Sequence, residues 1–241
     1  MKEWRLIDTD LGHPYYVTAA EEAISLARAK DLVPDTLHFY RRDPPGVSVG
    51  YFKKVEDDVN LDYCKENIVV IVRRMTGGGT IFTDKNQLIY SIITKNQLGS
   101  GVEDTFEMVC NGIIEMLKKF NIQTEYKPPN DILLNGKKIS GSAQTLKKDV
   151  VLLHGTILLA TDLDLMNKVL KNVDLDHVTT IRNELVNNVP SIEDVKKGLM
   201  ITFEDQFDIK INQGELIRSE SEMIIELEQN KYGVKDWNFK Y

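Results

Sequence analysis

The most constraining feature of the chain is residues 68–72, Ile-Val-Val-Ile-Val, which run straight into Arg73, Arg74, Met75, Thr76 and three glycines, Gly77, Gly78 and Gly79. Five β-branched side chains in succession predict a central strand buried on both faces. Three glycines cannot continue it, because each adds backbone freedom and offers no side chain to pack. The junction therefore sets two guanidinium groups beside a loop whose backbone N–H groups can approach an anion with no Cβ in the way. On local sequence alone, a glycine-rich turn with solvated arginines accounts for the same letters. Neither familiar phosphate loop is present: G-x-x-x-x-G-K-[ST] is absent, and so is a strand, G-x-G-x-x-G, helix order.

Hydrophobic period organises the rest. Residues 4–8 read as a strand, followed by a helix with Val17, Ala20, Ile24 and Ala27 on one face. Strand patterns at 36–41 and 47–52 flank Pro44-Pro45-Gly46 and are expected to pair antiparallel. Another strand is expected at 88–94, then a long helix carrying Phe106, Val109, Cys110, Ile113, Leu117 and Phe120 on its buried face. Asn135-Gly136 between two short apolar runs predicts a type I′ hairpin, since both residues tolerate positive φ. Lys147-Lys148-Asp149 marks a second turn, leading into an apolar strand over 150–160 that His154 interrupts. Ser191 with Asp194 predicts a capped helix. The order of elements predicts an α/β (α+β) domain over residues 1–241: a mixed, largely antiparallel sheet flanked by helices, with a helical C-terminal segment over about 190–241.

Composition excludes several classes. With 37 acidic against 30 basic side chains, the formal charge is −7, so no global basic footprint exists for nucleic acid. Two cysteines, Cys64 and Cys110, form no C-x-x-C, which excludes a disulfide scaffold or zinc ribbon and predicts a reducing, cytoplasmic setting. No apolar run approaches the ~18 residues of a membrane span. No membrane partner is expected.

Two further constellations bear chemistry. Lys138 follows the Asn-Gly turn and Asp131 opens the preceding strand, and opposite hairpin strands lie within about 5 Å, so the cation and the carboxylate can meet one ligand. A surface lysine beside a turn is the plain alternative, weakened by the small residues Gly141, Ser142 and Ala143 that leave room across the strand. His154 on its apolar strand reads first as a hydrogen-bonded core histidine and second as a pocket wall. His13, His38 and His177 are scattered and assemble no Ser/His/Asp triad. Both cysteines read as buried core thiols.

Taken in order, Arg73-Arg74-x-Thr-Gly-Gly-Gly-Thr, Asn130-Asp131, Gly136-Lys-Lys-Ile-Ser-Gly-Ser-Ala and His154-Gly-Thr-Ile-Leu resemble the lipoate–protein ligase A family, which is grouped with octanoyltransferases and biotin protein ligases. The resemblance covers nearly the whole chain. It implies a biotin/lipoate ligase-like catalytic domain that activates lipoate with ATP and Mg²⁺ as lipoyl-AMP and passes the acyl group to a lysine of a lipoyl carrier domain, such as a 2-oxoacid dehydrogenase E2 or the glycine cleavage H protein. By similarity, Lys138 is the central catalytic lysine, touching both carboxylate and α-phosphate. Arg74 and Gly77, Gly78 and Gly79 contact lipoate or the adenylate; Thr80, Ile81 and Phe82 line the nucleotide side; Asn130 and Asp131 belong to the adenylate region, Asp131 as metal ligand. The lipoate chain and ring also need an apolar slot, and strand residues around Val72, Ile89 and His154 are expected to wall it.

The chain departs from the family pattern in two places. Phe82-Thr83-Asp84 stand where relatives often carry a histidine, and the sequence has no counterpart of the smaller accessory domain of single-chain ligases. The resemblance then implies either a separate accessory subunit or a chain that works only as a transferase. An ATP-independent octanoyl or lipoyl transferase is the alternative, although relatives that use an acyl-cysteine place it where this chain has Lys127-Pro128-Pro129-Asn130. A non-catalytic lipoate or adenylate binder is the third reading.

Overall fold

The structure is a computed structural model that describes residues 2–95, 98–185 and 187–241. Its strands are β1 (Lys2–Gly12), β2 (Thr36–Arg42), β3 (Gly46–Val49), β4 (Val70–Arg73), β5 (Ile81–Thr83), β6 (Leu88–Thr94), β7 (Glu125–Lys127), β8 (Asp131–Leu134), β9 (Lys137–Lys147), β10 (Val150–Ile157) and β11 (Ile209–Gln213). Eight form one sheet in the order β11-β1-β2-β6-β10-β9-β8-β7, and three form a small sheet ordered β4-β3-β5. In the large sheet only β1 runs parallel to its neighbours, β11 and β2; the other pairings are antiparallel. The expected mixed, largely antiparallel fold is present.

Alternation along the strands assigns the two faces of the large sheet. On β6, Leu88, Tyr90 and Ile92 pack with Phe106, Ile113, Leu199 and Phe203 beneath the helices Val102–Lys119 and Ile192–Phe207. Each such fully buried side chain contributes about 1.5–3 kcal/mol. The intervening residues Ile89 and Ile93 face the helix Pro14–Ala29 on the opposite side. The candidate site residues Lys138 and His154 lie on this second face. No helix among the described residues is long and apolar enough to cross a membrane.

Local chemistry produces the expected turns. Asn135 (φ 52°) and Gly136 (φ 77°) join β8 to β9, Lys148 (φ 52°) and Asp149 (φ 61°) join β9 to β10, and Ser191 with Asp194 completes a capping box. Longer-range expectations fare differently. The β-branched run is no central strand: β4 is the edge of the small sheet, Ile68 is exposed with φ 55°, and the Arg73 N–H donates to Asn238 Oδ1 at 2.9 Å, which covers the open edge. Nor do the strands around Pro44-Pro45 pair. β2 lies between β1 and β6 while β3 enters the small sheet, so the proline turn carries the chain from one sheet to the other. The segment from about 190 onward includes β11, which returns to pair with β1.

Candidate active site

A cavity of about 290 Å³ opens on the second face of the large sheet. It crosses four adjacent strands, from Lys138 and Gly141 on β9, over Gly155 on β10 and Ile89 on β6, to Tyr40 and Arg42 on β2, beneath the loop carrying Gly78, Gly79 and Thr80. With strands about 4.8 Å apart, the floor spans roughly 14 Å. The lysine after the hairpin and the arginine-headed triglycine loop thus share one hollow.

The position of Lys138 is set by three local devices. Pairing of β8 with β9 skips Ile139, since Ile132 faces Ser140 and Leu133 faces Lys138, and such a bulge re-aims the side chain. Thr179 N–H donates to the Lys138 carbonyl at 3.0 Å and pins the backbone. Gly141 lies opposite Asp131, and a Cβ there would sit 2.7 Å from Lys138 Nζ and 3.1 Å from Asp131 Oδ1. The missing side chain makes room for the ion pair between Lys138 Nζ and Asp131 Oδ1 at 2.6 Å. Asn130 donates through its side-chain amide to the Ser142 carbonyl and closes this end of the cavity.

Arg74 is the clamp of the glycine loop. Its Nε donates to Thr76 Oγ1 at 2.9 Å, Nη1 to the Ser48 carbonyl at 2.8 Å, and Nη2 to the carbonyls of Gly77 and Gly79 at 2.6 and 2.7 Å. Burial, with Arg42 nearby, lowers its pKa to about 10. The guanidinium lines the cavity while its donors hold the protein's own backbone. Gly78 has φ +87°, which only glycine adopts without strain, and a Cβ on Gly50 would lie 2.1 Å from the Gly78 carbonyl oxygen. Two backbones therefore touch at the roof. Thr80 donates to Asp58 Oδ2 at 2.6 Å and, with Ile81, faces the cavity. Phe82 points the other way, into the core of the small sheet with Val47 and Val49, because alternate residues of β5 face opposite sides.

His154 stands in the cavity wall within a buried relay. Its Nδ1 is 2.9 Å from Glu21 Oε1 and its Nε2 is 2.7 Å from Thr76 Oγ1, and Ser91 also donates to Glu21. Burial raises the Glu21 pKa, but the charge and hydrogen bond of His154 outweigh it and bring the carboxyl to about 2. Desolvation lowers His38 to about 4 against the pull of Glu21. Glu21 was missed by sequence reasoning, although a glutamate amid Ala19, Ala20, Ala23 and Ile24 on a helix face is a readable signal of a buried polar partner. Ile89 lines the cavity as expected, whereas Val72 packs with Ala19 and Tyr232 outside it.

Both thiols lie in hydrophobic cores, Cys64 beneath the small sheet and Cys110 beneath the large one, and neither lines the cavity. Burial pushes their pKa values to about 11 and about 12. Asp131 is the expected Mg²⁺ ligand. The Asp131 carboxylate is already bonded to an ammonium, and among the described residues no group of three His, Cys, Asp or Glu side chains could hold a metal.

Residues 13–204 match the family model described as the lipoyl protein ligase A/B catalytic domain. The octanoyltransferase LipM of Halalkalibacterium halodurans is 29% identical, with 100% of each chain covered, and other curated relatives at 24–29% identity bear the same name. A bi-partite lipoate protein ligase of Thermoplasma acidophilum superposes with a TM-score of 0.88 at 26% identity, covering 99% of this chain and 97% of the other. A lipoate–protein ligase A bound with ATP gives 0.88 and 26%, with 99% of both chains covered. Curated relatives overturn the expectation of an ATP-dependent ligase, since those matched over 98–100% of the chain are named octanoyltransferases. Those names give no support to ATP or Mg²⁺ as cofactors. What stands is an enzyme of acyl transfer to a lysine, acting on lipoate- or octanoate-type groups.

Proposed function

Because the chain belongs to the lipoyl protein ligase A/B catalytic-domain family, we propose that it transfers an octanoyl-type acyl group from a carrier-bound thioester directly to a lysine of a lipoyl carrier domain, without ATP. The observation that carries this reading is a cavity in which Lys138 faces the glycine loop and no thiol is present. A transfer with no nucleophilic cysteine is an aminolysis. The acceptor amine attacks the thioester carbonyl, the new C–N bond forms as the C–S bond breaks, and the amine proton leaves with the departing thiolate as a thiol. Negative charge develops on the carbonyl oxygen, and fixed donors that meet it lower the barrier.

Lys138 is the cation placed for that oxygen. Asp131, bonded to it, keeps the ammonium oriented toward the cavity and gives the proton of the attacking amine a nearby carboxylate through which to pass. The Gly77 and Gly79 carbonyls point at Arg74, and in a trans peptide the following N–H points away, so the N–H groups of Gly78 and Thr80 remain as further donors. The acyl chain lies across Gly155 and Ile89, each buried methylene contributing roughly 0.8 kcal/mol.

The test is to incubate the protein with an apo lipoyl domain and either octanoyl-acyl carrier protein or octanoate plus ATP and Mg²⁺, and to weigh the lipoyl domain by mass spectrometry. The proposal expects acylation from the thioester alone and no acyl adduct on the enzyme. Acylation only with ATP, or an adduct on either cysteine, would refute it.

A further inference from the structure

A chain with a formal charge of −7 carries one face on which lysines gather around aromatic rings. Lys240 Nζ lies 3.4 Å from the ring centroid of Tyr51 and 4.1 Å from that of Trp237, while Lys231 Nζ is 4.2 Å from the same indole. Two ammonium groups on one indole repel each other. Lys231 is offset by Glu22 Oε2 at 2.6 Å, but among the described residues no carboxylate pairs with Lys240 or with exposed Lys147. Lys147 and Lys240 both act on Lys231, and Lys240 lowers the Tyr51 phenol. Beside Tyr51, Phe52 is 77% exposed.

This face is continuous with the roof of the cavity. Tyr51 N–H donates to the Thr76 carbonyl at 2.9 Å, the Arg73 guanidinium donates to the carbonyls of Gly50 and Lys53 at 2.9 and 2.7 Å, and Gly50 abuts Gly78. From there it extends to Lys147, nine residues along β9 from Lys138, a span of roughly 30 Å. Unpaired cations interleaved with aromatic rings complement a surface of clustered carboxylates and steer such a partner by a salt-dependent field.

We propose that this face is the docking surface for an acidic carrier protein that delivers the acyl thioester. The proposal rests on the thioester reading above. Its extent selects the donor over the acceptor, because a protein seated over Lys147 reaches the carbonyl beside Lys138 only with a long flexible arm, whereas an acceptor lysine has a four-carbon stem.

The experiment compares wild type with the double variant Lys147→Glu, Lys240→Glu, using octanoyl-acyl carrier protein and octanoyl-pantetheine as donors. The variant should raise KM for the protein-borne donor about tenfold, with a weaker dependence on salt, and leave both constants for octanoyl-pantetheine unchanged. An unchanged KM for the protein-borne donor would overturn the proposal, as would a rise confined to the lipoyl-domain acceptor. Binding of acyl carrier protein followed by NMR titration, with no turnover, separates this proposal from the reading beneath it. If no thioester supports transfer but the carrier binds wild type and not the variant, the docking surface stands and the reaction falls. Equal binding, or none to either protein, removes the docking surface.

Discussion

Replacing Gly141 with alanine should separate turnover from folding. The added Cβ would lie 2.7 Å from Lys138 Cε and Nζ and 3.1 Å from Asp131 Oδ1, against an ordinary contact of about 3.5–4.0 Å. The ammonium must therefore retreat by about 1 Å, and the 2.6 Å pair with Asp131 opens. A displacement of that size in a group that positions charge lowers the rate about a hundredfold. The fold should be nearly indifferent, since the obstructed atoms are chiefly the free end of a flexible lysine and Gly141 is not among the positive-φ glycines. A stability change within about 0.5 kcal/mol is expected. Rates from intact-mass analysis of the lipoyl domain, set against thermal denaturation of the same samples, make the comparison. Turnover within about threefold of wild type would refute the geometric argument, and so would a fall in turnover matched by a fall in Tm.

Gly50→Ala should behave in the opposite way, because its Cβ meets the backbone carbonyl of Gly78 at 2.1 Å and neither partner is a flexible end; a loss of about 2–3 kcal/mol together with activity is expected, and an unchanged Tm would contradict the close approach. His38 has its pKa lowered from 6.5 to about 4 by burial, so the unfolded chain binds the proton first, and stability present above pH 6.5 should decline as the pH falls toward 4. That decline is worth up to about 3 kcal/mol; urea titrations at several pH values should show it flattened in His38→Gln, and an identical slope in the variant would refute the assignment. Glu21, lowered to about 2, adds its own loss only below about pH 4.5. Replacing Cys64 and Cys110 together with alanine should reduce stability by about 1–2 kcal/mol and leave transfer intact, whereas abolished transfer in a folded variant would restore a thiol mechanism.

What could be read from the letters was what neighbouring residues decide among themselves. Asn135 and Gly136 specify their turn by φ alone, and Ser191 and Asp194 cap a helix within one turn. Partner choice was hidden. Nothing in residues 68–72 tells that β3 rather than the large sheet will take them, or that Asn238, 165 residues away, will cover the free edge. The bulge that skips Ile139 and aims Lys138 has no signature in its own sequence. Glu21 lies 133 residues from His154, so its pairing needed the sheet to be assembled. Family resemblance supplied Lys138 and the glycine loop as candidates but carried an ATP-dependent ligase reading that the octanoyltransferase names of curated relatives overturn.

The most direct measurement is the rate at which Lys138→Ala acylates a lipoyl domain from octanoyl-acyl carrier protein, followed by intact mass and paired with a melting curve. The account predicts a folded protein whose transfer is at least about a hundredfold slower. A Lys138→Ala variant with wild-type transfer would contradict it.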